Sequence, residues 1–501
     1  MKRLLGTLFA LLLLGACGDD KTSDGGGTPL PKPAGKYATV NKWMYSYMSQ
    51  NYLWPDPLTT MKTDYSLDYQ KFLQSLLDGV AAHTDAQGRP LNYDDGHWSG
   101  DQREYYYSYV DGPKPASRSA GDEVTETGLW LLQPVRISEA QIVFFIETVT
   151  PDSPASRAGL RRGDFITEVD GLMITDPTVK TLLDKCYYGP SVRLLPNRIV
   201  SGKVETLTEV TLSAETFTDP AIYRSTVVTV GDKRVGYLLY MGFESSYDEE
   251  LISAFRMFRD NDIDELVVDL RYNGGGAVRS STLLATLILG DAYKGETYCR
   301  MIYNATRMAA LGQPGFYRIG DKSVPDGNGT YQPIADALSQ ALGLKRIYVI
   351  CSGKTASASE LLVNGLRGFD LEVRLVGTRT NGKNVGMEGS VDREIGGEKY
   401  TFMPITFYSE NAKGFRDYSD GFEPDVTVAD PAGYYLLPGD FATQDDDCFR
   451  MVSEWIETGV QPVFQTRVSR ASVTPPLVAR PLPDATVRPN RHSQGSLVFR
   501  E

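Results

Sequence analysis

Several features that mark common classes of protein are scarce in this sequence. It has 5 cysteines and 3 histidines in 501 residues. Four cysteines are scattered and make no CxxC pair, which excludes a zinc-ribbon site and leaves disulfide pairing undecided; they are Cys186, Cys299, Cys351 and Cys448. An excess of positive charge is also lacking, since 51 Lys and Arg are outnumbered by 64 Asp and Glu, and the formal net charge is -13. A protein that binds nucleic acid regardless of sequence needs a basic surface, so we expect no nucleic-acid partner, and acidic substrates are disfavoured too.

The apolar run at the N-terminus is too short to cross a bilayer as a mature helix. The segment MKRLLGTLFALLLLGAC has two cations, about a dozen mostly apolar residues and then small residues, which is typical of a secretory signal. Its ending, LGAC, resembles the lipobox of bacterial lipoproteins, in which the cysteine, here Cys17, becomes lipid-modified and starts the mature chain. That resemblance implies a signal peptide over residues 1–17 and a lipid anchor in the bacterial cell envelope, periplasmic or associated with the outer membrane. A plain cleaved signal with an incidental cysteine is the alternative.

Changes in composition along the chain predict its domain organisation. Residues 18–36 are rich in Gly, Pro and acidic residues and predict a flexible tether. Apolar residues at helical spacing predict a small N-terminal helical domain over residues 37–112, which a Pro, Ser and Gly-rich linker ends. Strands alternate with helices over residues 218–460, which predicts a layered α/β domain with functional loops at the carboxyl ends of its strands. Residues 461–501 are rich in Pro and Arg and predict a mobile tail.

Residues 122–217 contain short strands with one or two helices. Their predicted order resembles a PDZ domain, and DSPASRAGLRRGDFITEVDG is similar to the central segment of that family. In PDZ domains the loop before the peptide-binding strand holds a chain-terminal carboxylate with backbone N–H groups, and the strand then pairs with the peptide. The resemblance therefore implies substrate binding by Gly128, Leu129, Trp130 and Leu131. For Gly128 alone, a turn glycine is the alternative.

The stretch CSGKTASASE, residues 351–360, joins two apolar segments through small hydroxyl-bearing residues. A phosphate-binding P-loop is excluded, because position 348 is Tyr where that loop needs glycine. The segment is then either a helix cap formed by Ser and Thr, or an exposed nucleophile at a helix N-terminus, where the helix dipole favours developing negative charge.

Two further loops follow predicted strands. DLRYNGGG, residues 269–276, ends in three glycines, which allow backbone N–H groups to turn inward as an oxyanion hole or simply form a turn. GTRTNGKNVG contains Lys383, which taken alone is typical of a solvated surface charge.

Together, DLRYNGGG, TASASE and GKNVG, in this order behind a PDZ-like segment, resemble the carboxy-terminal processing proteases, also called tail-specific proteases. The resemblance covers residues 37–430, and GFEPDVTV, residues 421–428, is similar to the closing strand motif of that family. It implies an α/β fold: a crotonase-like protease core with a β-rich PDZ domain beside the catalytic cleft and a small helical N-terminal domain.

The resemblance implies the following roles: Ser357 as nucleophile, Lys383 as base, Glu360 as the residue that orients the lysine or its neighbours, and the N–H groups of Ala358, Gly275 and Gly276 as the oxyanion hole. It implies protein or peptide substrates with apolar C-termini and no cofactor or metal. Two positions depart from the family: Met387 stands where a glutamine is common, and GKN replaces GKG.

The proposed chemistry sets a physical condition on Lys383. A lysine accepts a proton from serine only when it is neutral, so burial must lower its pKa from about 10.4 by some 3 units, or about 4 kcal/mol. A Ser-His arrangement is disfavoured, because His83, His97 and His492 lie far from these loops in sequence, although tricorn-type relatives use a histidine from an earlier segment. A catalytically silent PDZ-containing binding protein is the other alternative.

Overall fold

A computed structural model gives the fold of this chain. It describes residues 35–112, 123–320, 323–325, 331–333, 337–388, 391–430, 433, 435–465 and 480–481. The predicted signal peptide with Cys17 lies outside the described residues, as do most of the predicted tether, linker and tail. Among the helices that are described, none has the length and apolar composition needed to cross a membrane.

The N-terminal unit combines two helices with three short strands: α1 (Ala38–Asn51), α2 (Tyr69–Ala81), β1 (Gly96–Ser99), β2 (Gln102–Tyr106) and β3 (Tyr109–Asp111). Helix α2 begins after Asp68, whose side chain accepts a hydrogen bond from the N–H of Gln70 at 3.0 Å. The sequence analysis predicted the helices and missed the strands. Strands β2 and β3 arise from the tyrosine-rich segment REYYYSYVD, because aromatic side chains favour a pleated, half-buried surface, and β1 pairs with β2.

The elements of the second unit are β4 (Glu123–Glu126), β5 (Leu129–Arg136), β6 (Ile142–Val149), α3 (Pro154–Arg157), β7 (Phe165–Val169), β8 (Leu172–Met173), α4 (Val179–Tyr188), β9 (Ser191–Val200), β10 (Lys203–Thr206), β11 (Val210–Ser213) and β12 (Glu215–Thr218). The unit contains the predicted elements, β5 to β9 with α3 and α4, in the predicted order, and has four further strands that were not predicted. The predicted hairpin is present, since β7 pairs antiparallel with β8 around Asp170 and Gly171, both of which have positive φ. Strand β5 pairs antiparallel with β6 along most of its length.

The third unit is the α/β domain. Its elements are β13 (Ile222–Val230), β14 (Lys233–Tyr240), α5 (Asp248–Asp260), β15 (Glu265–Asp269), α6 (Val278–Leu289), β16 (Thr297–Tyr303), α7 (Ala305–Leu311), β17 (Gly315–Arg318), β18 (Ser323–Pro325), β19 (Tyr331–Pro333), β20 (Arg346–Cys351), α8 (Ala358–Arg367), β21 (Glu372–Gly377), β22 (Val385–Gly386), β23 (Val391–Ile395), β24 (Glu398–Met403), β25 (Phe407–Asn411), β26 (Val426–Thr427) and α9 (Asp447–Thr458). A six-stranded sheet in the order β13-β14-β15-β20-β21-β26 forms its centre. The β13–β14 pair is antiparallel, and the remaining pairs are parallel.

Both faces of the central sheet are covered. Leu238 and Tyr240 of β14 pack with helices α5, α6 and α8 on one face, whereas Tyr237 and Leu239 pack with α9 on the other. Successive side chains of a pleated strand point to opposite faces of the sheet. Because both faces are covered, apolar side chains are favoured at successive positions of a central strand, and its sequence is a nearly continuous apolar run.

Two smaller sheets lie beside the central one, and one of them connects two units. Strands β17, β16, β25 and β22 form one sheet, and β23 and β24 form another with β3 of the N-terminal unit. The N-terminal unit is therefore built into the edge of the α/β domain.

Residues 461–465 and 480–481 of the predicted tail are described, and the last two are paired. They form β27 (Arg480–Pro481), which lies antiparallel to β5 with Arg480 opposite Arg136 and Pro481 opposite Val135. The rest of the predicted tail, residues 466–479 and 482–501, lies outside the described part. The four described cysteines are free thiols.

Candidate active site

The three predicted loops follow three neighbouring strands. DLRYNGGG leaves β15, the Ser357 segment leaves β20 and the Lys383 segment leaves β21. Because β15, β20 and β21 are adjacent and parallel, their carboxyl ends meet at one edge of the sheet. The topology therefore brings together segments that are more than a hundred residues apart at their extremes.

Ser357 immediately precedes α8. Its φ is +56°, a value uncommon for a residue other than glycine, so the backbone is strained at this point. The neighbouring hydroxyls hold the turn in place: Thr355 Oγ1 donates to the carbonyl of Leu270 at 2.8 Å, and Ser359 Oγ donates to the carbonyl of Asn273 at 2.9 Å. Thr355 and Ser359 are buried, whereas Ser357 is partly exposed. The Ser357 side chain also forms a capping box with Glu360 at the start of α8, and its hydroxyl is the most accessible of the three.

The glycine loop lies directly against Ser357. A Cβ on Gly275 would lie 2.8 Å from Ser357 Cβ and 2.9 Å from the backbone nitrogen of Ala358, so this close approach requires glycine. The N–H of Gly275 donates to Oδ1 of Asn273 at 2.9 Å and is engaged within the loop. Within the described part of the chain, the N–H groups of Gly276 and Ala358 have no such acceptor. Of the three predicted oxyanion donors, these two are therefore better placed than Gly275.

Glu360 joins the serine loop to the lysine loop. Its Oε1 accepts hydrogen bonds from the hydroxyl of Thr380 at 2.6 Å and the N–H of Gly382 at 2.7 Å. Its Oε2 accepts from the N–H of Lys383 at 2.8 Å and the N–H of Ser357 at 3.1 Å. Burial raises the pKa of the Glu360 carboxyl to about 7, and these four donors oppose that rise. The carboxylate therefore sets the backbone of both loops.

Lys383 is buried, with 8% of its surface exposed. Burial lowers its pKa to about 8, against the opposing influence of the Asp95 and Glu360 carboxyls. Its Nζ lies 5.1 Å from the centre of the Tyr107 ring. The alternative of a solvated surface lysine is therefore wrong, and the condition for a lysine base is largely met.

The position of Met387 accounts for one departure from the family. Met387 packs in the apolar cluster of the N-terminal unit, together with Tyr107 and Val385. A thioether offers no strong hydrogen bond, so this position supplies no polar partner for Lys383. Glu360 is the acidic side chain that contacts the lysine loop instead.

The N-terminal unit forms one wall of the site, which the sequence analysis did not foresee. The hydroxyl of Tyr107 donates to Oδ1 of Asn381 at 2.7 Å, and the N–H of Asn381 donates to the carbonyl of Thr355 at 3.0 Å. Asp95 is buried behind Tyr107, and burial raises its pKa to about 6. No sequence signal marked Tyr107, because 274 residues separate it from Asn381.

His97 also lies closer to the lysine loop than its sequence position suggested. Its ring is hydrogen-bonded to the backbone of Asn381, stacks on Tyr105 at 5.1 Å and lies 3.6 Å from a carboxylate oxygen of Glu104. Burial lowers the pKa of His97. The histidine is therefore in a different unit, as predicted, but at the border of the same site.

The predicted peptide-binding residues begin β5. Gly128 has φ +82°, and a Cβ there would lie 2.0 Å from the hydroxyl oxygen of Ser153, so no side chain fits. Leu129 packs in the core of the second unit, whereas Trp130 and Leu131 pack against the central sheet of the α/β domain. All four predicted residues are buried, so a substrate must displace contacts to reach them.

A buried ionic network fixes the second unit against the glycine loop. Arg162 donates to Oε2 of Glu147 at 2.9 Å and also to the hydroxyl of Tyr272, a residue of the DLRYNGGG segment. The adjacent Arg271 donates to Oδ2 of Asp446 at 2.7 Å. Buried charges are tolerated only when paired, so this network defines a specific arrangement of the two units.

Comparisons with known proteins agree with this architecture. Sequence models match the peptidase S41 N-terminal domain over residues 39–100, a PDZ domain over residues 145–183 and peptidase family S41 over residues 234–428. The chain is 27% identical over 290 residues to carboxyl-terminal-processing peptidase 1 of Arabidopsis thaliana, which covers 57% of this chain and 52% of that protein. It is 26% identical over 235 residues to a carboxyl-terminal-processing protease of Picosynechococcus, which covers 47% and 49%.

The chain thus spans about half the length of these curated relatives. A crystal structure of a putative S41 protease from Bacteroides fragilis shares the fold, with a TM-score of 0.65 at 22% identity over 83% of this chain and 97% of that one. The matched models and the order of the three units lead to one assignment: this chain belongs to peptidase family S41 and carries that family's N-terminal domain together with a PDZ domain.

Proposed function

We propose that this protein is a serine endopeptidase of the bacterial cell envelope that selects protein substrates through their C-terminal tails. The observation that carries the proposal is the position of Glu360, which accepts hydrogen bonds from the backbone of both Ser357 and Lys383. A pure binding protein has no need to bury a lysine in a loop that one carboxylate ties to the backbone of a strained serine. The burial of Lys383 also favours its neutral form, which a base requires.

The proposed reaction follows from these positions. Neutral Lys383 takes the proton of the Ser357 hydroxyl while the serine oxygen attacks the peptide carbonyl carbon. The N–H groups of Ala358 and Gly276 stabilise the negative oxygen of the tetrahedral intermediate. The carbon–nitrogen bond then breaks, and the Lys383 ammonium returns its proton to the leaving amine. Water hydrolyses the acyl-enzyme with Lys383 again as base.

Substrate selection is assigned to the PDZ domain. The loop at Gly128 directly precedes β5, and this order supports a role of its N–H groups in holding a chain-terminal carboxylate and of β5 as the strand to which a peptide adds. The apolar residues Leu129, Trp130 and Leu131 favour an apolar C-terminus. Because these residues are buried, binding must be accompanied by a local opening of the domain.

The envelope location rests on the N-terminal sequence. The LGAC ending predicts lipid modification of Cys17, and mass spectrometry of the mature N-terminus would detect the acyl chains. Replacement of Cys17 by Ser should release the protein from membranes. A membrane-free wild-type protein would contradict the lipid anchor without affecting the proposed chemistry.

The decisive experiment compares wild type with Ser357→Ala on a protein that carries an apolar C-terminal tail. Cleavage should fall by about three orders of magnitude or more, since loss of a nucleophile removes the covalent pathway. Ser359→Ala is the matched control and should retain most activity, because Ser359 bonds to the backbone of Asn273. If Ser359→Ala abolished cleavage and Ser357→Ala retained it, Ser357 would not be the nucleophile.

A second candidate mechanism uses a histidine base. The contact between His97 and the backbone of Asn381 favours it, because it places an imidazole beside the lysine loop. The burial of Lys383 and its lowered pKa favour the lysine.

A further inference from the structure

The outer edge of β5 is occupied by the chain itself. In the sheet order β10-β9-β7-β6-β5-β27, β6 lies on one side of β5 and β27 on the other. Arg480 pairs with Arg136 and Pro481 with Val135. The edge that β27 takes is the edge to which a peptide would have to add.

The other half of this edge is engaged by a side chain. The N–H of Leu132 donates to the hydroxyl of Tyr187 at 2.7 Å, and that hydroxyl is 3.4 Å from the Leu132 carbonyl. Tyr187 belongs to α4, which packs against β5. A peptide that pairs with β5 must therefore displace both the Tyr187 hydroxyl and the tail strand.

We propose that the C-terminal segment of this chain docks on the β5 edge of the PDZ domain and competes there with substrate tails. The proposal rests on the proposed function only in taking β5 as the substrate-binding strand. One strand edge offers one set of N–H and C=O groups, so the tail and a substrate cannot pair with Val135 and Arg136 at the same time.

The direction of the tail supports this competition. The antiparallel register places Arg480 at Arg136 and Pro481 at Val135, so the tail advances towards the Gly128 end of β5. A peptide whose terminal carboxylate sits at the Gly128 loop would run along β5 in that same direction.

Tethering explains how so short a pairing can compete. The tail is joined to α9 through residues 459–479, so its local concentration at β5 is on the order of millimolar. Two paired residues contribute little free energy, so a substrate tail can displace the tail strand. Substrates that bind β5 weakly are excluded by this competition, whereas tighter ones are not.

The test measures binding of a fluorescent peptide with a free apolar C-terminus to three mature chains. All carry Ser357→Ala to prevent cleavage; one ends at Glu501, one at Pro481 and one at Gln465. Removal of β27 in the chain that ends at Gln465 should tighten peptide binding by about threefold or more. The chain that ends at Pro481 keeps both paired residues and should bind more weakly than the chain that ends at Gln465.

Competition by the isolated tail provides a second measurement. A synthetic peptide of residues 466–501 should compete with the fluorescent peptide on the chain that ends at Gln465. Equal affinity in all three chains, or equal affinity in the two shortened ones, would overturn the docking of β27. If the tail weakens peptide binding only at high protein concentration, it binds to a second copy of the chain, and the intramolecular contact is overturned. Absence of binding in every chain would instead refute selection by the PDZ domain.

Discussion

The backbone N–H groups of Ser357 and Lys383 donate to the same oxygen, Oε2 of Glu360, at 3.1 and 2.8 Å. This shared acceptor fixes the distance between the loop that follows β20 and the loop that follows β21. The side chains of Ser357 and Lys383 are thus positioned through their main chains, before any contact between the side chains themselves. Because the two loops are already ordered, little conformational entropy is lost there when a substrate binds.

Glu360→Gln should reduce kcat by about 100-fold, because an amide NH₂ in place of one oxygen would face N–H donors and push a loop away. The chain should remain folded, since the substitution keeps the shape of the side chain. Steady-state kinetics at neutral pH measures the effect. Glu372→Gln on β21, which alters an exposed ion pair with Arg374, is the control and should have wild-type activity. Wild-type kcat in Glu360→Gln would contradict the positioning role.

Cleavage by the wild type should rise with pH through about 8, because only the deprotonated form of Lys383 accepts the serine proton. Lys383→Arg should be inactive at every pH between 6 and about 10, since guanidinium stays protonated throughout. A pH–rate profile of kcat/KM measures both effects.

His97→Ala is the companion variant in this experiment. It should retain most activity if Lys383 is the base, although its contact with Asn381 predicts a modest loss from loosening of the loop. An inactive His97→Ala protein that still folds, together with an active Lys383→Arg protein, would transfer the role of base to the histidine.

Lys383→Met should stabilise the folded protein at pH 7 while abolishing cleavage. The pKa of Lys383 falls from 10.5 to about 8 on folding, so at pH 7 both states are charged and the folded state bears the cost of burying the charge. That cost is about 3 kcal/mol and should vanish as pH rises from about 8 to above 10, because the unfolded state then binds more protons. Thermal unfolding at pH 7 and pH 10 tests the sign: the gain should be large at pH 7 and small at pH 10.

Tyr107→Leu should shift the pH profile of cleavage upwards. Removal of the ring admits water to Lys383 Nζ, and the loss of burial raises the pKa of the lysine, while the Asp95 and Glu360 carboxyls that face it remain. Activity should therefore fall more at pH 7 than at pH 9. Tyr107→Phe keeps the ring and loses the bond to Asn381, so its profile should keep the wild-type midpoint. Equal midpoints in all three proteins would refute the effect of the ring.

Amidation of a substrate's C-terminus should weaken its binding to the PDZ domain by about tenfold or more, because the Gly128 loop would hold a charged carboxylate through N–H groups. Isothermal titration of matched acid and amide peptides measures the difference. A peptide with a C-terminal Asp in place of an apolar residue provides the comparison for side-chain preference. Equal affinity for acid and amide would exclude recognition of the terminus.

Local sequence determined much of this protein. The apolar runs, the helix-capping residues and the glycines specify elements by short-range physics, so the core elements β5 to β9 of the PDZ domain and the strands β14, β15, β20 and β21 of the central sheet could be predicted. The three loops could also be located, since functional loops of parallel sheets follow the carboxyl ends of strands. Strands β1 to β3 of the N-terminal unit were missed, because a short segment of mixed pattern has no decisive period.

Tertiary structure decided the environment of each functional group. Whether Lys383 is solvated or buried depends on Tyr107 and Asp95, which lie in another unit, and no local pattern reports such long-range contacts. The sequence also does not show that the Gly275 N–H donates to Asn273, because that hydrogen bond depends on the conformation of the folded loop. Sequence specifies which groups are present and which elements carry them. Burial, and therefore pKa and reactivity, is a property of the packing between elements that are distant in sequence.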